Sequence, residues 1–144
     1  LKLMFESKYK NAMIDYDRDG LNFEKERIEK FSVTKKDNEG FLVDIIEKPT
    51  IDEIESARDK NSAIGVSMNI FKLNYDMIFP FLETVPLHLI RKEKELPAAI
   101  KMMIDKFPKS LYAYSVSEEV PDLTSKEDIS KVKMFLEKNF PNLP

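Results

Sequence analysis

The segment Ile45-Ile46-Glu47-Lys48-Pro49 sets an acid beside a base at the close of an apolar run, Phe41 to Ile46. The run reads as a buried β-strand, and Pro49, which has no amide hydrogen for a ladder, stops it. Glu47 and Lys48 are therefore expected at the C-terminal end of a strand, where open α/β sheets bind ligands. A glutamate there accepts hydrogen bonds from hydroxyls, and a lysine sets a compact positive charge against a phosphate. A strand that ends in two solvated charges fits the same residues. Ser67 and Asn69 form a second candidate pair. Ala63 to Phe71 alternates, with Ile64, Val66, Met68 and Ile70 on one face and Gly65, Ser67, Asn69 and Phe71 on the other. Two polar side chains then share one side of a strand, which is either half-exposed or turned to a ligand. Glu95 and Asp122 each precede a predicted helix, where an acid favours the helix dipole.

Three segments in order carry a resemblance. Glu47-Lys48-Pro49, then Ser67-Met68-Asn69-Ile70-Phe71, then Asp122-Leu123-Thr124-Ser125-Lys126-Glu127-Asp128-Ile129 resemble the C-terminal half of sugar-1-phosphate nucleotidylyltransferases, which make nucleotide sugars. The likeness runs from about Ile28 to the end of the chain. It implies the sugar-binding half of a Rossmann-like nucleotide-diphospho-sugar transferase, as a C-terminal fragment of the parent enzyme. The implied reaction joins an NTP to a sugar-1-phosphate, giving NDP-sugar and pyrophosphate. Under this resemblance Lys48 holds the phosphate and is the catalytic residue, and Glu47 accepts from sugar hydroxyls. Ser67, Asn69 and Glu95 lie near the sugar, and Asp122 is a ligand of the catalytic Mg²⁺.

The chain departs from the family at Asn69 and Thr124, which stand where the family has glycine, and at Ser67, which stands where it has asparagine. Val120 and Pro121 replace its bulky aromatics. The family's glycine-rich nucleotide loop and its other metal aspartate belong to an N-terminal half. The 3 glycines here, Gly20, Gly40 and Gly65, are scattered and form no phosphate loop. The missing half is thus an expected partner. The chain alone is expected to make no NDP-sugar, and to self-associate through sheet edge and apolar surface left uncovered.

A competing motif lies upstream. Asp15-Tyr16-Asp17-Arg18-Asp19-Gly20, with Glu26 as twelfth residue, satisfies the calcium-loop pattern of an EF-hand. Against it stand Asn22 where the loop wants an apolar residue, Lys10 and Asn11 in the helix that should precede it, and no second copy. The default for residues 15–26 is a charged surface loop or hairpin. A calcium-binding or non-catalytic structural or regulatory module is the alternative function.

With 144 residues the chain is expected to form a single domain, 1–144, with a real core. It is 42% hydrophobic and 34% charged, so a packed fold is expected. A net charge of -3 and a pI near 5.4 argue against nucleic acid. No apolar run is long enough for a membrane span. The absence of cysteine excludes disulfides and thiolate metal sites, and fits a cytoplasmic location. His88 is the one histidine, with no serine or cysteine nucleophile motif beside it. A homo-oligomer stays open.

The elements that must position these residues follow from pattern. Leu3 to Met13 has a weak helical pattern. Ile28–Thr34 and Phe41–Ile46 read as a hairpin across a turn at residues 35–40, with Asn38 and Gly40 suited to positive φ. Residues 50–61 read as a loop or short helix. Asn74 caps a helix from Tyr75 to Glu83 that contains Pro80. A helix opening at Pro97 places Leu96, Ala99, Ile100, Met103, Ile104 and Phe107 on one stripe. Leu111 to Val116 reads as a strand. The last helix, capped by Thr124 or Ser125, is expected to bury Ile129, Val132, Leu136 and Phe140. The sum is an α/β fold, a mixed sheet flanked by helices.

Overall fold

Strong local signals set most of the elements. Asn74 accepts a hydrogen bond from the Met77 amide at 3.2 Å and starts a helix at Tyr75–Thr84. Pro97 sits in the first turn of a helix at Leu96–Lys106, where its missing amide hydrogen costs nothing. Thr50 and Glu53 form a reciprocal capping box at the head of a short helix, Ile51–Ser56.

The computed structural model describes residues 2–121 and 123–141. Its helices are α1 (Lys2–Phe5), α2 (Lys25–Ile28), α3 (Ile51–Ser56), α4 (Tyr75–Thr84), α5 (Leu96–Lys106) and α6 (Asp128–Asn139). Its strands are β1 (Ala12–Asp17), β2 (Val33–Lys36), β3 (Leu42–Ile46), β4 (Gly65–Lys72) and β5 (Tyr112–Val116). They form one mixed five-stranded sheet in the order β3-β2-β4-β1-β5. Among the described residues only β1 and β5 pair in parallel. One row of partners crosses the sheet: Ile46, Val33, Val66, Tyr16 and Val116.

Alternation along β1 divides the core. Met13 packs with Leu42, Ile45 and Ala113 against Ile78 and Phe81 of α4 and Ala99, Ile100, Met103 and Ile104 of α5. Ala12, Ile14 and Tyr16 pack on the other face with Val33, Val66, Met4, Ile54 and Ile64. No helix among the described residues is long and apolar enough to cross a membrane.

Several expectations are corrected. Residues 12–17 form a central strand where a weak helix and a charged loop were expected. Arg27 and Ile28 end α2, and the hairpin's first strand is only Val33–Lys36. In the turn, Gly40 takes the positive φ of 91° and Asn38 does not. Glu127 heads α6 without a side-chain cap. Ile129, Leu136 and Phe140 are 55%, 39% and 52% exposed, because no described element lies against that stripe.

Candidate functional site

β3 and β4 run in the same direction, and Ile46 and Val66 both pair with Val33, so Glu47–Lys48, just past β3, lie toward the level of Ser67–Asn69 inside β4. β2 lies between them, and the Ser67 amide donates to the Ser32 carbonyl at 3.0 Å. Ser32, just before β2, thereby joins the group. Nothing in its own sequence context marks it, since its place depends on how β2 pairs with β4. Glu47 and Lys48 are exposed. Lys48 has φ 49°, in the left-handed region, an unusual state for a residue that precedes proline.

Ser67 is buried and Asn69 is exposed, so the even alternation expected for β4 fails there. The cause is a bulge. Met13 pairs with Phe71 and Asp15 with Ser67, so three residues of β4 oppose Ile14 alone. Asn69 absorbs the excess with φ 58°, and its amide donates to Ser67 Oγ at 3.3 Å.

Glu95 is met by its own loop. It pairs with Arg91 and lies 3.9 Å from His88 Nε2. His88 Nδ1 in turn accepts from the amides of Ile90 and Arg91 at 3.3 and 3.2 Å. Asp122 lies outside the described residues. β5, the strand that leads to it, runs opposite to β3 and β4 and leaves the sheet at the other end.

The turn after Asp122 is tightly held. Asp128 accepts from the Thr124 and Ser125 amides at 3.1 and 2.9 Å, and pairs with Arg27 Nη1 at 3.0 Å. Arg27 Nη2 also donates to Thr124 Oγ1 at 2.8 Å, and its guanidinium lies 5.2 Å from the Phe23 ring centre. Arg27, followed by those amides, holds the Asp128 carboxyl well below the usual range. Asp128 is thus the anchor of the turn rather than part of a capping box.

The calcium-loop reading of residues 15–26 is corrected by β1. Ladders to β4 and β5 hold Asp15–Asp17 extended, whereas an EF-hand loop must wrap around an ion. Asp17 accepts from the Asp19 amide at 3.2 Å and heads a single 3₁₀ turn. Among the described residues no group of three His, Cys, Asp or Glu side chains converges.

Asp15 belongs instead to a buried cluster. It is 1% exposed, and Thr34 and Lys36 both donate to its carboxylate. Lys36 Nζ also lies 2.7 Å from Ser115 Oγ and 3.4 Å from Asp59 Oδ2. A side chain on Gly65 would collide with the Asp15 carboxylate and the Thr34 hydroxyl, so glycine leaves room for that pair. Burial pushes the Asp15 carboxyl up, against the opposing pull of Lys36, Thr34 and Ser115. Burial also acts on Asp59, but the amides of Asn61 and Ala63, with Lys36, bring it below its ordinary value.

A cavity of about 300 Å³ opens beside the cluster, lined by Lys36, Asp59, Asn61, Tyr112 and Ser115 among others. An ammonium has three N–H donors, and those of Lys36 are spent on Asp15, Ser115 and Asp59. The cluster is therefore built to hold β1, β2, β5 and the α3–β4 connection together. The other site differs in carrying exposed charges, Glu47 and Lys48; left-handed backbone occurs there at Lys48 and Asn69, and elsewhere at Ser62, Lys92 and Lys109. No protein-family model matches the chain, and no curated protein matches it.

Proposed function

We propose that this chain is the sugar-phosphate-binding half of a Rossmann-like sugar-1-phosphate nucleotidylyltransferase, acting with a nucleotide-binding half. The observation that carries the reading is Asn69 at φ 58°. The resemblance puts glycine at this position, and glycine is the default residue where φ is positive. Asparagine is among the side-chain-bearing residues that enter this region most readily. The departure from the family thus preserves the backbone shape that its glycine allows. Lys48, beside Pro49 and just past β3, is also left-handed, as are Ser62, Lys92 and Lys109 elsewhere in the chain.

In this reading Lys48 neutralises the phosphate of the sugar-1-phosphate as its oxygen attacks the nucleotide's α-phosphorus. Glu47 accepts from a sugar hydroxyl, and the Ser67–Asn69 bulge shapes the floor. Catalysis then rests on positioning and charge neutralisation, with no covalent enzyme intermediate. Magnesium, when bound, neutralises charge on the exchanging phosphoryl oxygens. The described residues contain no converging carboxylates, and the strand that leads to Asp122 leaves the sheet at the end opposite Lys48, so a metal beside Lys48 would take its ligands from outside this chain.

The test is Lys48→Ala in the full-length enzyme. Removing a hydrogen bond to a charged group costs about 1.5–3 kcal/mol, which is roughly a 10- to 100-fold loss in kcat/KM for the sugar phosphate. Unchanged kinetics in a folded Lys48→Ala enzyme would overturn the assignment.

A further inference from the structure

The turn between β2 and β3 folds across to β5. Phe41 bridges Tyr112, the Ala113 amide donates to the Gly40 carbonyl at 2.9 Å, and the Leu42 amide donates to the Leu111 carbonyl at 2.9 Å. Gly40 permits this approach, since at φ 91° a side chain there would press on the Tyr112 ring. The 59–61 loop closes a third side, and Lys60 Nζ donates to the Asn38 carbonyl at 3.3 Å. The cavity of about 300 Å³ beside the Asp15 cluster is lined by these three segments. Ligand pockets run from roughly 300 to 1,000 Å³, so this one suits a single small ring. Its loops are held in place. Asp37 accepts from the Glu39 and Phe41 amides at 2.9 Å each, and Asp59 accepts from the Asn61 and Ala63 amides at 2.8 and 3.1 Å. A ligand therefore meets a preformed site and orders little on binding.

The lining selects the chemistry of the ligand. Its charges are met within the protein, Lys36 by Asp15 and Asp59, and Glu39 by Lys109. Asp37 and Lys60 remain, one of each sign, and both hold the turn. A charged ligand would have to displace one of these partners. The groups left over are neutral. Among the described residues, the side-chain amides of Asn38 and Asn61 and the hydroxyl of Tyr112 have no hydrogen-bond partner. Amides and phenols each donate and accept, so the group that suits all three is a hydroxyl, which does both. The rings of Tyr112 and Tyr114, 4.9 Å apart, add apolar surface for the C–H face of a sugar ring. We propose that this cavity binds a neutral monosaccharide. The inference does not rest on the proposed function. Gly40 lies before β3 and Lys48 after it, so the two sites sit at opposite ends of that strand.

The experiment titrates the unmodified chain with D-glucose, D-galactose and D-mannose to roughly 50 mM, with amide chemical shifts followed residue by residue. At least one sugar should give saturating shifts at Asn38, Gly40, Asn61 and Ser115, with a Kd of roughly 1 mM. Combining Asn38→Ala with Asn61→Ala should weaken that binding roughly tenfold, since each change removes a hydrogen bond. Both residues are exposed, so the double variant should unfold at the parent's urea midpoint. Saturating shifts with none of the three sugars overturn the proposal. So does undiminished binding by the double variant. Shifts confined to Glu47 and Lys48 also overturn it, because the sugar then sits at the other end of β3. Tighter binding of inorganic phosphate or methylammonium in the cavity overturns it too, because the site is then built for a charged ligand.

Discussion

Replacing Lys36 by methionine should turn the Asp15 cluster from a support into a pH-dependent weakness. Methionine keeps most of the side chain's bulk, so the change is chiefly the loss of the ammonium that neutralises Asp15. The Lys36 side chain is 4% exposed and that of Asp15 is 1% exposed, so water cannot stand in for the missing charge. Breaking a buried pair by removing one partner costs about 3–5 kcal/mol. That is a large part of the roughly 5–15 kcal/mol that holds a domain folded. For a chain of this size it corresponds to roughly 6–20 °C in Tm.

The sign of the pH dependence follows from burial. Asp15 is already pushed up in the parent, and losing Lys36 pushes it further. A carboxyl whose folded value lies above its unfolded value, about 3.9, leaves the fold most stable below that value. Stability is then lost as pH rises through the folded value, by up to about 1.4 kcal/mol per pH unit. Urea unfolding of the Lys36→Met variant from pH 4 to pH 8 should therefore show a decline that extends to higher pH, and reaches deeper, than the parent's. Asp15→Asn in the same background should remove most of that slope, because the buried charge is gone. A Lys36→Met protein whose stability follows the parent's pH profile would refute the reasoning. So would a double variant as pH-sensitive as the single.

Other outcomes follow from particular residues. Asn69→Gly should change stability by less than about 1 kcal/mol, while Asn69→Val should cost about 1–2 kcal/mol from the left-handed backbone, both read by urea unfolding. Thr50→Ala should cost about 1 kcal/mol by losing the cap of α3, with a matching drop in denaturation midpoint. Asp128 has a depressed carboxyl, so its contribution is present above the unfolded value and lost as pH falls below about 3.9. Asp128→Asn should therefore flatten the acid limb of the Tm profile, and an acid limb identical to the parent's would contradict the anchor role.

The legible parts of this fold are those whose periodicity and punctuation agree. β3 ends at Ile46 before Pro49, α4 begins at its Asn74 cap, and α5 carries Ala99, Ile100, Met103 and Ile104 on one buried stripe. The Glu47–Lys48 and Ser67–Asn69 segments were legible because one ends a readable strand and the other lies within one. Their shared level in the sheet depends on β2, which a short, half-charged sequence disguised. The outer stripe of α6 has the period of a buried face and is exposed. Periodicity specifies that a face exists, and only a neighbouring element makes it a core.

β1 was hidden for a deeper reason. Ala12, Met13, Ile14 and Tyr16 are apolar, but Asp15 and Asp17 between them read as a loop. Aspartate is almost never fully buried unless it is paired. The pairing of Asp15 is supplied by Thr34 and Lys36, 19 and 21 residues away, and by Ser115, 100 residues away. Lys36 was hidden in turn, since its charge placed it in the hairpin's turn until Asp15 gave it a reason to enter the sheet. Gly65 completes the set, because only a residue without a side chain leaves the carboxylate its space. Each of these residues argues against burial by itself, and together they make a saturated network. Burial of a charge is a property of the group that surrounds it, so no window of sequence containing one member could have revealed the strand.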